Sequence, residues 1–530
     1  MHNSSLPAFI KFSIVTIFVL APVAAISQSQ PLPQGIFTDH QDVGTVLHPG
    51  TAVYDTATRS YTISGSGENM WFGIDDFHFA WKKVSGDVAL TADIAFLGTG
   101  GNPHRKAVLM IRQTLDGPSP SVDVAVHGVG LTSLQYRDTT GANTREVESN
   151  ISGPKTVRIE KRGDYFYAFV SGNDGKLHPA GASTKLALTG DFYIGIGVCS
   201  HDKDVVEKAV FSNVVLDQLP PASGKHVLVS SLETISIAST DRHVEYTTAA
   251  HFEAPNWSRD GKFLIFNQDG TLRRLALDGS QPTIIPTSPQ IQCNNDHGIS
   301  PDGRFLALSD SSSDDHKSRV YVVPITGGTP RLITPNAPSY WHGWSPDGKT
   351  LAFTGQRGGP IEVAPTPGSN VGPQHLDTTN FDIYSVPVSG GAETRLTTAP
   401  GLDDGPEYSP DGAYIYFNSE RTGQMQIWRM KPDGSDQEEV TFDDSNDWFP
   451  HISPDGQSMV FIAYEKGVKG HPPDKDVELR LMSLKDKKVR VLAKLFGGQG
   501  TINVPSWSPD GTKLAFVSYE QLPEETLALK

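Results

Sequence analysis

SYWHGWSPDG, residues 339–348, ends in a four-residue turn that the second half of the chain repeats. Pro at the second position favours the first corner of a type I turn, and Asp-Gly supplies the polar and positive-φ positions that close a hairpin. The six copies are spaced by 42, 45, 64, 44 and 55 residues and begin at Ser258 (where Arg replaces Pro), Ser300, Ser345, Ser409, Ser453 and Ser508. A repeat period in the forties is typical of β-propeller blades.

Each turn is followed by an apolar strand and then by a second hairpin. After the turn at Ser300 these are FLALS (305–309) and SRVYVVPITGGTPRLIT (318–334), and four strands per repeat make one blade. The sixth repeat stops after two strands, and its missing hairpin precedes the first repeat as LETISIASTDRHVEYTT (232–248). We therefore predict a six-bladed propeller over residues 225–530, closed by N-terminal strands that leave no free sheet edge.

Residues 30–220 contain strands with an alternating pattern that does not follow the repeat of the second half, including DVALTADIAFLG (87–98) and DFYIGIGVCS (191–200). Many strands with Gly, Asp and Asn turns, and no helical periodicity, predict a two-sheet sandwich or jelly roll. QLPPASGK (218–225) is a short linker to the propeller. We therefore expect an all-β chain with an N-terminal jelly-roll sandwich and a C-terminal propeller.

Residues 1–27 predict export. Lys11 precedes an apolar run, residues 12–26, and small residues end it. This is the order of a secretory signal peptide, and the run is short for a membrane span. No cysteine lies near the expected cleavage site, so we expect a periplasmic or secreted protein without a lipid anchor and with no membrane span after cleavage.

Charge restricts the class of partner. The formal net charge is −16, which argues against nucleic acid, because neutralising phosphates requires clustered Lys and Arg. The expected partner is a carbohydrate or a protein of the periplasm or envelope.

The repeated Trp-Ser-Pro-Asp-Gly turns over residues 225–530 resemble those of TolB-type β-propellers and, in part, the propellers of oligogalacturonate lyases. The stretch GSGENMWFGIDDFHFAWKKVSGD (65–87) resembles concanavalin-like sandwiches, which are often joined to bacterial carbohydrate-active proteins. The first resemblance implies the propeller fold, an architecture that hosts both protein-docking scaffolds and enzymes. The lyase resemblance implies histidines that hold a metal, which would neutralise a uronate carboxylate.

Strand connectivity places the candidate site. The Ser-Pro-Asp-Gly turns lie on one face of the disc, so the residues that precede them open onto the other end of the central channel. We call that end the propeller mouth. Imidazoles converging there could hold one divalent cation, Zn, Mn or Ca. The metal-ligand candidates are His251, His297, His342 and His451.

Other residues before the turns suit other chemistry. Two carboxylates could act as general acid and base on a glycosidic bond, and the candidates are Asp403, Asp404, Glu407 and Asp447. Aromatic and amide side chains could bind a sugar ring or a partner. The binding candidates are Asn295, Tyr340, Trp341 and Trp448 in the propeller, with Arg112 and Tyr136 on a sheet of the sandwich.

Two functional hypotheses follow. The first is an exported binding protein that recognises a glycan or an envelope partner through the sandwich and the propeller mouth. The second is a metal-assisted oligosaccharide lyase or glycoside hydrolase with its site at the mouth. Histidines in an acidic channel favour the enzyme, whereas the lack of a recognisable catalytic signature in the sequence favours the binding protein.

Overall fold

A computed structural model describes residues 35–221, 224–357, 361–363, 374–376 and 381–528. The predicted signal peptide, residues 1–27, lies outside this range, so its cleavage stays a prediction. The described residues form strands and one short 3₁₀ helix, Glu524–Ala528, which agrees with the expected all-β class. No helix in these ranges is long and apolar enough to cross a bilayer.

The strands of the N-terminal region differ in burial: Thr51–Asp55 alternates along its length, whereas Lys106–Arg112, Ser121–His127 and Thr132–Arg137 are buried at every residue. The first seven are β1 (Asp39–Val43), β2 (Thr51–Asp55), β3 (Ser60–Gly65), β4 (Phe77–Val84), β5 (Val88–Phe96), β6 (Lys106–Arg112) and β7 (Ser121–His127). The next seven are β8 (Thr132–Arg137), β9 (Arg145–Glu148), β10 (Thr156–Arg162), β11 (Tyr165–Ser171), β12 (Leu177–Lys185), β13 (Phe192–Cys199) and β14 (Glu207–Gln218).

These strands form two sheets. One is a seven-stranded sheet in the order β12-β11-β10-β5-β14-β3-β2, and the other begins β1-β4-β13-β6-β7-β8-β9. One hydrophobic core contains Leu90 and Ile159 from the first sheet together with Leu109, Val124 and Ile196 from the second. The finer assignment to the concanavalin-like sandwiches stays a prediction.

The remaining strands belong to the propeller half. They begin with β15 (His226–Ser236), β16 (Arg242–Thr248), β17 (Phe252–Trp257), β18 (Phe263–Gln268), β19 (Thr271–Ala276), β20 (Thr283–Ile284), β21 (Cys293–Ile299), β22 (Phe305–Asp310), β23 (Arg319–Pro324) and β24 (Arg331–Leu332). The third repeat supplies β25 (Ser339–Trp344), β26 (Thr350–Gly355), β27 (Ile361–Val363), β28 (Gln374–Leu376), β29 (Asp382–Pro387) and β30 (Thr394–Arg395). The last are β31 (Asp403–Tyr408), β32 (Ile415–Ser419), β33 (Gln426–Met430), β34 (Glu438–Glu439), β35 (Asn446–Ile452), β36 (Ser458–Tyr464), β37 (Lys475–Ser483), β38 (Val489–Gly497) and β39 (Lys513–Pro523).

The prediction of six blades was wrong in the count. The described residues form five separate four-stranded blades: β17–β20, β21–β24, β25-β26-β29-β30, β31–β34 and β35–β38. The strands expected in a sixth, β39, β15 and β16, instead end a ten-stranded sheet that begins in the N-terminal region. This happens because β16 pairs in parallel with β9, at Arg242 with Val147 and His243 with Glu148, which extends the sheet across the two halves of the chain.

The repeated turns have the geometry that their sequence predicts. Ser345 Oγ donates a hydrogen bond to Asp347 Oδ1 at 2.7 Å and accepts one from the Thr350 amide at 2.9 Å. Gly348 has a φ of +68°, which glycine adopts at little cost. The first and last turns are neighbours, since a Cβ added at Gly261 would lie 3.9 Å from Pro509 Cδ. The turns therefore surround the end of the channel opposite the mouth.

Candidate functional site

The innermost strand of every complete blade is irregular at the same place. Its pairing with the second strand shifts register within residues 253–256, 293–297, 341–343, 404–407 and 448–451. A bulge of this kind re-aims side chains relative to the simple alternation of a strand. His342 lies inside one of these irregularities, between Trp341 and Gly343.

A cavity of about 260 Å³ lies at the propeller mouth. The inner strands β21, β25, β31 and β35 supply its buried wall, and the connecting loops supply its rim. The lining residues are Asn294, Asn295, Asp296, Tyr340, His342, Thr354, Phe381, Leu402, Asp404, Phe449, His471, Gln499 and Asn503. We call this space the mouth cavity.

His342 and Asp404 form its central ion pair. His342 Nε2 lies 3.2 Å from Asp404 Oδ1, and His471 Nε2 lies 3.8 Å from the other carboxylate oxygen. Burial alone would raise the pKa of Asp404, but the hydrogen bond and charge of His342, and the nearby His471, outweigh it and lower that pKa to about 2. Burial would likewise lower the pKa of His342, but the charges of Asp296 and Asp404 outweigh it and raise that pKa.

A second carboxylate in the cavity wall, Asp296, also acts on His342 through its charge. Asn294 Nδ2 donates to Asp296 Oδ2 at 2.7 Å. Burial, reinforced by the charge of Asp404, raises the pKa of Asp296 to about 6 against the opposing effect of His342. Burial and the charge of Asp296 raise the pKa of the neighbouring Glu253 to about 7. The cavity therefore has a negative potential, which His342 offsets only in part.

The four candidate metal ligands do not come together. His297 is buried, and its Nε2 faces the Ile265 carbonyl at 3.4 Å. His451 Nδ1 pairs with Glu407 Oε2 at 2.5 Å, and its Nε2 bonds the Ile502 carbonyl. His251 stacks on the Tyr519 ring at 5.5 Å. Of the four, only His342 lines the mouth cavity.

Metal binding at the mouth is therefore not supported by the structure. Within the described ranges, no group of three or more His, Cys, Asp or Glu side chains is placed to hold an ion. The divalent cation expected from the sequence required such a group. His297 and His342 each lie three residues before the Ser of their turn, a spacing that would place them at one depth in regular strands, and the bulges separate them.

The four candidate catalytic carboxylates are also dispersed. Only Asp404 lines the mouth cavity. Asp403 is buried and lies 2.9 Å from Arg421 Nη2, while Asp447 is buried with Arg480 Nη1 at 3.9 Å. Glu407 lines a different cavity, of about 370 Å³, among the Ser-Pro-Asp-Gly turns. No two of the four face each other across the mouth.

The candidate binding residues divide into two groups. Tyr340 and Asn295 line the mouth cavity. Trp341 and Trp448 are each only 1% exposed and pack in the hydrophobic cores between blades, so neither presents a ring face to a ligand.

Both binding candidates in the N-terminal region are structural. Arg112 is fully buried and donates to the carbonyls of Thr114 at 2.7 Å and Asp116 at 2.6 Å. Tyr136 belongs to the core between the two sheets. Their side chains are thus engaged in holding the fold rather than free to bind a sugar.

Several lining residues were not among the predicted binding and catalytic residues. Gln499 and Asn503 come from the segment before the sixth turn, and Phe449 lies in the bulge of β35 with a φ of +56°. His471 comes from the long loop of the fifth repeat. Asn503 is a polar residue that lies at the same distance before its turn as predicted mouth residues lie before theirs, and this spacing could have identified it. Nothing in the sequence indicates the position of Phe449. The third repeat's long insertion, residues 355–379, lies mostly outside the described residues.

The ion pair gives a direct spectroscopic prediction. Replacing Asp404 with Asn removes one of the two charges that raise the pKa of His342, so that pKa is expected to fall. Titration of the histidine ring resonances by NMR measures the shift. His297 is the internal reference, since burial lowers its pKa to about 4 and Asp404 is not among the causes. An unchanged His342 pKa would contradict the geometry.

Comparison with known proteins identifies a matching family model and a relative of known sequence. A family model described as a TolB β-propeller domain matches residues 366–500. An uncharacterized protein of Agrobacterium fabrum is 50% identical over 291 residues, which covers 55% of this chain and 92% of that protein.

A solved structure from Agrobacterium tumefaciens, provisionally described as TolB, is 49% identical. It has a TM-score of 0.50 and covers 56% of this chain and 99% of its own. The Tol-Pal system protein TolB of Francisella tularensis is 24% identical over 259 residues, 48% of this chain and 54% of that protein. The chain thus spans about half the length of the Francisella protein.

Proposed function

This chain belongs to the family of TolB-like β-propeller proteins, and from that premise we propose that it is an exported protein that binds a partner of the cell envelope through its propeller mouth. The observation that carries the proposal is the mouth cavity itself. Buried polar side chains from β21, β25 and β31 converge there on a rigid scaffold, beside aromatic rings. Concave sites with a few convergent polar groups are where proteins bind small groups of a ligand or partner.

A protein partner fits this cavity better than a glycan does. Sugar recognition commonly uses an exposed aromatic face for stacking, and the two tryptophans suited to that task are buried between blades. Tyr340 is half-buried at the rim and leaves one modest aromatic surface. The relatives named Tol-Pal system proteins favour an envelope partner as well.

The alternative, a metal-assisted lyase or hydrolase, has less support. It needs three or more ligands around an ion or two carboxylates on either side of a glycosidic bond. Only one of the four candidate histidines and only one of the four candidate carboxylates line the mouth cavity. Cleavage of an oligosaccharide by the purified protein would favour the enzymatic hypothesis over the binding hypothesis.

Site-specific photo-crosslinking tests the proposal. A photoreactive amino acid at Tyr340, in the full-length exported protein, is expected to form a covalent adduct with one identified envelope protein. The same amino acid at Lys349, which is 80% exposed beside the third turn at the opposite end of the channel, is the matched control. Adding Asp404→Asn to the Tyr340 variant is expected to abolish the adduct. Equal labelling from both positions, or none from Tyr340, would contradict a binding mouth.

A further inference from the structure

The chemistry of the mouth cavity indicates what it binds. We infer that it selects an organic cation, the guanidinium or ammonium group of an Arg or Lys side chain on the partner. The inference rests on the proposed function, since it assigns the ligand class of the same site. It stands on three features of the cavity: its charge, its walls and its unpaired polar groups.

The charge of the wall is the first feature. Asp296 and Asp404 both line the cavity, and among the described residues that line it none is Lys or Arg. The nearest positive group is the imidazole of His342, 3.2 Å from Asp404. Asp403, by comparison, is buried against a full positive charge, with Arg421 Nη2 at 2.9 Å. A guanidinium or ammonium from outside would supply the charge that the mouth lacks.

The walls are the second feature. Tyr340 and Phe381 lie 6.0 Å apart, and the Phe449 ring stacks on His342 at 6.5 Å. Aromatic faces attract cations, and the attraction is strongest where water is excluded. These rings would also pack against the methylene stem of a long basic side chain. A small inorganic cation would gain little from such walls.

Asn295 is the third feature. It lines the cavity and is only 4% exposed, and its Nδ2 makes no hydrogen bond of normal geometry among the described residues, although the amide acts on the Glu253 carboxyl and lowers the pKa of that group. A buried donor without an acceptor costs free energy until a ligand supplies one. The peptide carbonyls of a partner chain are suitable acceptors for it, so this group points to a ligand rather than to a bare ion.

The same groups predict how binding depends on pH. Below about pH 6 Asp296 takes up a proton and His342 carries one, so the cavity is no longer negative. Above that, Asp296 and Asp404 are both ionised and Glu253 follows near pH 7, so the cavity becomes negative even while His342, whose pKa is raised, keeps its proton. His471 and the Tyr340 hydroxyl are the other titratable groups that line the cavity. Affinity for a cation is therefore expected to rise from pH 5 to pH 8.

Isothermal titration with matched small probes tests the inference. Nα-acetylarginine amide and Nα-acetylcitrulline amide have nearly the same shape and differ in charge. At pH 7.5 and low salt, the full-length protein is expected to bind the arginine probe at least tenfold more tightly. Glucosamine is a third probe, because its ammonium is carried on a sugar.

Two variants and one control localise the effect. Asp404→Asn and Asp296→Asn are each expected to weaken the arginine probe at least fivefold. Asp444→Asn removes the same charge from a side chain that is 87% exposed and pairs with Lys466, and it is expected to change nothing. Because two positions are tested, misfolding of one variant leaves the other to decide.

Several outcomes would overturn the inference. They are equal binding of the arginine and citrulline probes, no effect of either cavity variant, and binding of glucosamine without binding of the arginine probe. The crosslinking at Tyr340 is independent of these titrations. If crosslinking succeeds while the probes fail, the mouth binds a partner by other chemistry. If both the crosslinking and the titrations fail, the proposed function is contradicted as well.

Discussion

Replacing Arg137 with Met is expected to destabilise the N-terminal region by about 3–5 kcal/mol, the cost of removing one partner of a buried ion pair. Arg137 is 1% exposed, and its guanidinium donates to both oxygens of Asp75, at 2.9 and 2.7 Å. It also donates to the carbonyls of Phe72 at 2.9 Å and Ser119 at 3.1 Å. Without it, several carbonyls lose their donor and Asp75 keeps only the longer ion pair with Arg112 Nη2, at 3.5 Å.

Hydrogen exchange followed by mass spectrometry is the suitable measurement, because a chain with two halves need not unfold in one step. Peptides covering residues 66–76 are expected to exchange much faster in Arg137→Met. The control is Arg304→Met, which removes the same charge from a side chain that is 75% exposed beside Asp302 and should change stability by less than about 1 kcal/mol. If Arg137→Met left exchange unchanged, the ion pair with Asp75 would not be what holds this part of the fold.

The propeller could be predicted because its signal is local and repeated. Each Ser-Pro-Asp-Gly turn is determined by four adjacent residues, and Ser345 and Asp347 make the hydrogen bond that such a turn requires. The blade count depends on a contact distant in sequence. Pairing of β16 with β9 joins residues 242–243 to 147–148, and edge pairing of this kind leaves no mark in the composition of either strand.

Part of the mouth could be predicted for the same reason. Position before the turn placed His342, Asp404, Asn295 and Tyr340 at one end of the channel, and all four line its cavity. His297 and His342 both lie three residues before the Ser of their turn, but His297 pairs with Leu308 directly after a register shift while His342 lies inside one, and only His342 lines the cavity. Alternation along a strand predicts facing only where the register is continuous.

Burial could not be read from residue type either. Trp341 precedes His342 and is fully packed, while Tyr340, one residue earlier, lines the cavity. An aromatic residue beside a channel serves equally well as a binding surface or as packing between blades. The choice depends on the neighbouring blade, and in this case on the absence of a side chain at Gly298.

Replacing Gly298 with Ala is expected to destabilise the propeller by about 3 kcal/mol, at the upper end of the cost of overpacking. A Cβ at this position would lie 2.0 Å from Trp341 Cη2 and 2.5 Å from its Cζ3. Neither ring nor backbone has room to yield, because Trp341 is only 1% exposed and packed in the core between blades. Hydrogen exchange followed by mass spectrometry, in the peptides that cover β21 and β25, measures the change.

A second substitution shows whether Trp341 is the cause. Trp341→Phe removes the benzo ring that carries Cη2 and Cζ3, so its cost and that of Gly298→Ala should not add: the double variant should recover about 1–3 kcal/mol of the sum. Trp448→Phe is the matched control, since Trp448 is an equally buried tryptophan on the inner strand of another blade. Combined with Gly298→Ala it should give simple additivity. Equal non-additivity with both tryptophans would place the strain elsewhere, and His342 would not owe its position to this contact between blades.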